Sequence, residues 1–197
     1  MTKKTHVVCA NALALAVMRP TSIKYVCIGM VACSIGSVVS DLDITTTKSH
    51  KEMDKIILLV LSSILLCIIG DYYYNFGIYN LLLKNTSLFR IFFGCLFFLL
   101  TCFYGMHKPH RSFLHSILGV FVLSSLCNII FSPCLHYFLI GICSHIFLDL
   151  FNKKSIQLFF PFKDRYCFKF CDSDGFVNKL LGYCCSVIIL FELIFIL

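Results

Sequence analysis

The sequence predicts an all-α fold, a polytopic membrane helical bundle of about five to seven helices. Of its 197 residues, 59% are hydrophobic and 14% are charged, and the mean hydropathy is +0.88. Soluble domains carry about 25% charged residues, so the chain falls outside that class. Its apolar stretches are separated by short basic loops, and no internal repeat or low-complexity stretch divides it. We therefore expect residues 1–197 to form a single membrane-embedded helical domain.

Seven apolar segments follow one another, and each is interpreted as a helix. A hydrocarbon core of ~30 Å requires about 20 helical residues, with a range of roughly 17–25. The last three segments reach this length with their flanks, and the third and fourth do so if little tilted. The first two are short and interrupted by small residues, so one or both are expected to insert only partly. The segments span about residues 6–18, 24–40, 56–70, 91–105, 113–131, 135–151 and 179–197.

The opening "MTKKTHVVCANALALAV" also fits a signal peptide, with a basic start, an apolar middle and small residues at Ala14 and Ala16. The next segment is another apolar helix rather than a secreted domain, which favours an uncleaved first segment. Cleavage would remove His6.

The basic residues predict how the chain crosses the membrane. Counting crossings places three basic loops on one side, and the positive-inside rule makes that side cytoplasmic. We therefore expect a multi-pass protein of the plasma (inner) membrane. The three loops carry Lys48, Lys51 and Lys55; Lys108 and Arg111; and Lys153, Lys154, Lys163, Arg165 and Lys169. The opposite side receives Arg19, Lys24, Lys84 and Arg90. Residues 152–178, which alternate basic and aromatic side chains, are interpreted as an interfacial segment.

Two other features of the composition do not indicate a special function. The net charge of +7 comes from dispersed loops and not from a contiguous basic patch, so no nucleic-acid partner is expected. Several of the 13 cysteines lie inside apolar runs, where Cys behaves as a small hydrophobic residue. No pair of cysteines has zinc-ribbon spacing.

Ionisable residues at the segment ends are the strongest functional signal. In the topology derived from Lys and Arg alone, all of them fall on or near the cytoplasmic side. His145 and Asp149 are four residues apart and share one helix face, and burying such a pair without a compensating ion is costly. We therefore expect a metal site, although a lone His at a helix end is more often a cap. The predicted ligands are His6, Asp41, Asp43, His110, His115, His145 and Asp149.

Imidazole combined with carboxylate suits zinc, manganese or iron, and so many ligands would suit two ions. Zinc is the first choice. His6 is interpreted as a ligand of the second metal or as a base. Arg111 would stabilise an anionic transition state or contact a lipid headgroup.

Pro109 is expected to place His110 in a loop or first turn. His50, His107, His136 and Glu192 lack a convergent partner and are left out of the site.

Four motifs in matching order resemble the YdjM-like family of inner-membrane metal-dependent hydrolases. They are "KTHVVCA" at 4–10, "GSVVSDLDI" at 36–44, "HRSFLHSIL" at 110–118 and "GICSHIFLDLFNKKSIQLFFPF" at 141–162. The chain departs from the family pattern at Ser40, Ile44, Ser112 and Leu114. Ile44 replaces a His and so removes one possible ligand. The His/Asp pattern is also similar to that of zinc phospholipase C and single-strand nucleases, a more remote analogy.

These observations predict a membrane-bound hydrolase with a metal site at the cytoplasmic interface. A position at headgroup depth suggests a phosphoester or lipid-derived substrate, and membrane lipid is the expected partner. A metal-ion transporter is the main alternative, but it would place its ligands near the bilayer midplane. A third alternative, a non-catalytic scaffold, would bind no metal.

Overall fold

The computed structural model describes residues 2–43, 85–171 and 175–196, together with isolated positions between residues 55 and 73. Six α-helices and three short 3₁₀-helices form the named elements of these residues. The α-helices are α1 Lys3–Met18, α2 Ile23–Val39, α3 Thr86–Met106, α4 Ile117–Phe131, α5 Leu135–Leu150 and α6 Phe176–Ile196. The 3₁₀-helices are Ser40–Asp43, Phe113–His115 and Ser132–Cys134. The predicted all-α membrane bundle is confirmed.

Short polar side chains set the starts of three helices. The Thr2 hydroxyl accepts from the Thr5 amide at the start of α1, and Asn85 caps α3 in the same way. The Ser116 hydroxyl accepts from the Gly119 amide at 3.0 Å and caps α4. Because this cap fixes the helix start, the predicted segment 113–131 becomes a 3₁₀ turn followed by a helix.

Four stretches are long and apolar enough to cross a membrane by length and composition: Ile23–Asp43, Thr86–Met106, Ile117–Leu150 and Phe176–Phe195. The first segment, α1, is a helix of 16 residues, shorter than a full crossing requires. The predicted segment 56–70 lies outside the described residues, apart from isolated positions.

The 34-residue stretch Ile117–Leu150 is a hairpin of two helices. The 3₁₀ turn Ser132–Cys134 separates α4 from α5. His115, just before α4, lies 3.5 Å from Asp149 in the last turn of α5. The two outer ends of the hairpin therefore meet at one end of the bundle, which we call the site end.

Helix α2 packs parallel to α5 through two glycines. A Cβ at Gly36 would overlap the Phe138 carbonyl oxygen, and a Cβ at Gly141 would overlap the Cys33 carbonyl oxygen. Small residues at such positions let membrane helices approach closely. The close approach carries the end of α2 to the end of α5, at the site end.

The other helices complete the bundle around this pair. Asn11 of α1 donates to Ser34 of α2 at 2.8 Å in a partly buried contact. Helix α6 packs along α1, where the Thr2 amide donates to Asn178 at 3.4 Å. Helix α3 runs antiparallel to α4 and ends near Leu114. The site end thus collects the starts of α1, α4 and α6 and the ends of α2, α3 and α5.

Candidate metal centre

Four pieces of the chain bring ionisable side chains together at the site end. His6 comes from the second turn of α1, and the 3₁₀ turn after α2 supplies Asp41 and Asp43. The turn before α4 supplies His115, and the last turns of α5 supply His145 and Asp149. These side chains are buried: Asp41 is 8% exposed and each of the other five is 4% exposed or less.

Asp149 lies at the middle of this cluster. Its Oδ1 is 3.5 Å from His6 Nε2. Its Oδ2 is 3.5 Å from His115 Nε2 and 4.0 Å from His145 Nε2. The expected shared face of His145 and Asp149 is therefore present, and two histidines from other helices join it.

Two overlapping triads could each hold a metal ion. One is His6, His145 and Asp149, and the other is Asp41, His115 and His145; the ligand atoms within each triad lie within 4.8 Å of one another. His145 belongs to both. Its ring stacks on that of His6 with centroids 4.0 Å apart, and its Nε2 lies 3.7 Å from Asp41 Oδ1.

The separations between imidazole and carboxylate atoms suit an ion better than direct hydrogen bonds. Hydrogen bonds of good geometry have donor–acceptor distances of about 2.7–3.2 Å. Tetrahedral ligands at about 2.0–2.1 Å from zinc lie roughly 3.4 Å from each other. The contacts of 3.5 Å to Asp149 and 3.7 Å to Asp41 fall near that second value. His145 Nε2 and His115 Nε2 have no hydrogen-bond partner within the described residues.

The two aspartates of the "DLD" stretch face different partners. Asp41 points to His145, whereas Asp43 accepts a hydrogen bond from His110 Nδ1 at 2.8 Å and another from the Arg111 amide at 2.8 Å. In a 3₁₀-helix of three residues per turn, residues two apart point in different directions. The two carboxylates therefore turn toward different side chains. Asp43 and His110 lie in neither triad, and their ligand roles stay predictions.

Comparison with known proteins identifies the family of the chain. The family model described as YdjM inner membrane protein matches residues 1–196. The chain belongs to the YdjM family. No curated protein and no solved structure matches it. The family resemblance drawn from the four motifs is confirmed, and in this YdjM chain each motif supplies at least one residue of the buried cluster.

Arg111 is an internal partner of the YdjM site. Its Nη2 donates to Asp149 Oδ2 at 2.9 Å, and its Nη1 donates to the Lys154 carbonyl oxygen. The residue is 7% exposed and has a left-handed backbone with φ 63°. The guanidinium therefore faces the acidic residue and not the surface.

The raised pKa of His115 provides a way to compensate part of the negative charge of this cluster in the absence of a metal ion. Burial by itself lowers the pKa of His115, but the neighbouring carboxylates of Asp149 and Asp43 outweigh burial and raise it to about 9. A proton on His115 at neutral pH balances part of the carboxylate charge. A metal ion would have to replace that proton.

The loop after α5 covers the site, a feature that the sequence analysis missed. The backbone N–H of Gln157 donates to the Arg111 carbonyl at 2.9 Å, and Ile156 is fully buried. Asn152, directly after α5, is 2% exposed. The available signal was three uncharged polar residues, Asn152, Ser155 and Gln157, beside two lysines, and nothing in the spacing linked them to Arg111.

Two histidines that the sequence analysis left out of the site have other surroundings. His107 contacts the Phe103 carbonyl at the end of α3, at 2.9 Å. His136 is exposed at the start of α5, at the other end of the bundle. His50 and the family departure at Ile44 lie outside the described residues.

Proposed function

We propose that this YdjM-family protein is a membrane-bound, metal-dependent hydrolase with zinc in the His/Asp centre at its site end. The proposal depends on one observation above all. Buried imidazole and carboxylate atoms from four parts of the chain are spaced as ligands around an ion, and several imidazole nitrogens lack hydrogen-bond partners among the residues that the structure describes. Burying such groups without a compensating cation is costly in a membrane protein.

The donor set favours zinc over magnesium or calcium. Each triad combines imidazole nitrogen with carboxylate oxygen, which suits zinc and also manganese or iron, whereas magnesium and calcium prefer oxygen ligands alone. Because the triads share His145, the centre has room for one ion or a closely spaced pair. A divalent ion there supplies a Lewis acid that lowers the pKa of a water ligand toward 7 and polarises the scissile bond.

The surrounding residues then have distinct tasks. Asp43 orients the rings of His110 and His115, as carboxylates beside metal ligands commonly do. Arg111 holds Asp149 and presents a positive charge to an anionic transition state. The proposed ligands are His6, Asp41, His115, His145 and Asp149.

We propose a phosphoester or lipid-derived substrate and a site facing the cytoplasm. Two features support this. The centre lies at the ends of helices that are long enough to cross a membrane, and Lys108, Lys153 and Lys154 lie at the same end. A basic end is typical of the cytoplasmic side.

The test is the metal content and activity of the purified protein in nanodiscs. Wild type is expected to retain zinc and to hydrolyse a chromogenic phosphoester, with activity lost on chelation and restored by zinc. His145→Ala is expected to lose all metal because it removes a ligand from both triads. His136→Ala, at the opposite end of the bundle, is the matched control and is expected to behave as wild type.

Near-zero metal in wild type would exclude the proposal. Metal binding with ion flux into proteoliposomes, and no ester turnover, would identify a transporter instead.

A further inference from the structure

We propose that a groove between α1 and α5 holds the hydrocarbon chain of a bilayer-resident anionic phosphoester, whose headgroup reaches the candidate metal centre from the side. This inference rests on the proposed function, because the headgroup is taken to be the ester that is hydrolysed. The groove has a volume of about 400 Å³, within the range of ~300–1,000 Å³ for ligand sites. Its lining residues are Cys9, Leu13, Cys143, Ser144, Phe147 and Leu148.

The groove adjoins the metal centre along both helices. Cys9 follows His6 by three residues, which is less than one turn of α1, and Leu148 directly precedes Asp149 on α5. The His6–Asp149 contact of 3.5 Å joins the same two helices. A ligand in the groove therefore has one end beside two of the proposed metal ligands.

The lining suits a hydrocarbon chain. The Ser144 hydroxyl donates to the Gly141 carbonyl at 2.9 Å, so the single hydroxyl of the lining is already used. Leu13 and Phe147 at the rim are 46% and 58% exposed, and Phe147 lies within the apolar stretch Ile117–Leu150. A chain that enters from the bilayer stays in apolar surroundings throughout, so no cost of extraction from lipid opposes binding.

The site end itself is largely covered. Ile156, in the loop after α5, is fully buried, and Asn152 and Arg111 are 2% and 7% exposed. Among the described residues, the side of the bundle offers the groove between α1 and α5 instead. The guanidinium of Arg111, with the imidazoles beside it, favours a negatively charged headgroup. An anionic amphiphile fits both the apolar groove and the positively charged side chains, because one molecule carries the hydrocarbon chain and the negative headgroup.

Hydrolysis of such a molecule separates its two parts. The oxygen of water bonds to phosphorus, the bond from phosphorus to the chain oxygen breaks, and a proton passes to that oxygen. The products are an alcohol, which remains in the bilayer, and a phosphate, which enters water.

A second apolar groove is a natural internal control. It has a volume of about 480 Å³ and is lined in part by Phe98, Phe131 and Cys134, near the turn that joins α4 to α5. That turn is at the end of the hairpin opposite the site end. A chain in the second groove would have no adjacent centre for its headgroup.

The sequence contains no tryptophan, which provides a direct assay. Phe147→Trp in nanodiscs places a single fluorophore at the groove, and Leu13→Trp is a second reporter on the facing helix. Quenching by a bromododecyl phosphate is expected to saturate and to be displaced by dodecyl phosphate, with butyl phosphate weaker by at least about tenfold. At Phe98→Trp, in the second groove, quenching is expected to rise without saturation, as bulk partitioning does.

Cys143→Phe, which fills the groove, is expected to weaken dodecyl phosphate binding by about tenfold and to leave zinc content unchanged. Unsaturable quenching at both Phe147→Trp and Leu13→Trp would overturn the groove proposal. Saturable quenching without zinc or turnover would support the groove and exclude the hydrolase. Equal turnover of short and long phosphoesters, unaffected by Cys143→Phe, would support the hydrolase and exclude the groove.

Discussion

His145 is the residue on which the centre depends. It is fully buried and belongs to both triads, and its ring contacts those of His6 and His115, at centroid distances of 4.0 and 5.3 Å. A neutral ring in this position loses the hydrogen bonds of water and gains little from carboxylates at 3.7–4.0 Å. The ion of the proposed centre would supply the missing interaction and would explain why a polar pair occurs in an otherwise apolar helix.

Arg111→Lys tests whether the guanidinium orders this centre. Lys retains the charge, but its single ammonium is not the planar fork that bridges Asp149 and the Lys154 carbonyl. We expect zinc affinity to fall by about 10–100-fold with little loss of fold, as measured by chelator competition. Arg165→Lys, on the exposed loop, is the control and should match wild type. Equal zinc affinity in both variants would remove the assigned role of Arg111.

The raised pKa of His115, about 9, predicts opposite effects of pH with and without zinc. The folded pKa is above the ordinary value of 6.5, so protonated His115 stabilises the metal-free fold below pH 6.5. That contribution is lost as pH rises toward 9, and the Tm of metal-free protein should fall over this interval. Zinc competes with the same proton, so its apparent affinity should rise by about tenfold per pH unit. A zinc affinity independent of pH from 7 to 9 would contradict this account.

Residue roles were predictable where helical periodicity or proline fixed the geometry. Spacing alone put His145 and Asp149 on one face, and Pro109 put His110 in a turn. The division between Asp41 and Asp43 was not predictable, because it depends on whether the backbone continues as an α-helix or tightens to a 3₁₀ turn. The left-handed backbone of Arg111 was likewise not predictable from the sequence.

At the scale of elements, the contact between α2 and α5 places the ligands. These helices run parallel, and the short distance between their backbones brings Asp41 to His145 at 3.7 Å. Sequence analysis gave the bounds of both helices to within one residue, since each is a long apolar run. Which helices are neighbours did not follow from those runs, because an apolar helix in lipid shows no buried stripe that distinguishes partner from bilayer.

Gly141→Ala should disturb this contact. The added methyl group overlaps the Cys33 carbonyl oxygen, and overpacking of this kind costs about 1–3 kcal/mol in the free energy of unfolding. We expect a lower Tm together with reduced zinc content, because α5 shifts relative to α2. Gly182→Ala is a matched control in α6, where the nearest atom is 3.7 Å from the added carbon. It should be neutral or slightly stabilising, by up to about 1 kcal/mol. Equal behaviour of the two variants would show that close packing at Gly141 does not position the site.

At the scale of the whole molecule, the helices run back and forth through the bundle so that the ionisable residues at their ends gather at one end. The prediction from Lys and Arg placed these residues on one side before any contact was considered, and the described helices meet there. It succeeded because charged loops are excluded from lipid, which fixes the direction of each crossing. The covering loop 152–157 was not predicted, since its contacts depend on local backbone hydrogen bonds and not on hydropathy.

The orientation of that end is the last prediction. Lys3, Lys4 and Lys108 lie at the site end with the basic loop after α5, whereas Arg19, Lys24 and Arg90 lie at the other. The positive-inside rule therefore predicts that the site end faces the cytoplasm. Helix α6 starts at the site end and runs away from it, so alkaline phosphatase fused after Leu197 should be active, because it matures only outside the cytoplasm. Green fluorescent protein fused before Met1 should fluoresce.

Exchanging the two reporters provides the control, and both exchanged fusions should be silent. The reverse pattern would place the His/Asp centre on the outer face. The centre could then keep its metal chemistry, but its substrate would have to come from the outer leaflet, and the basic loop after α5 would need a role other than setting topology.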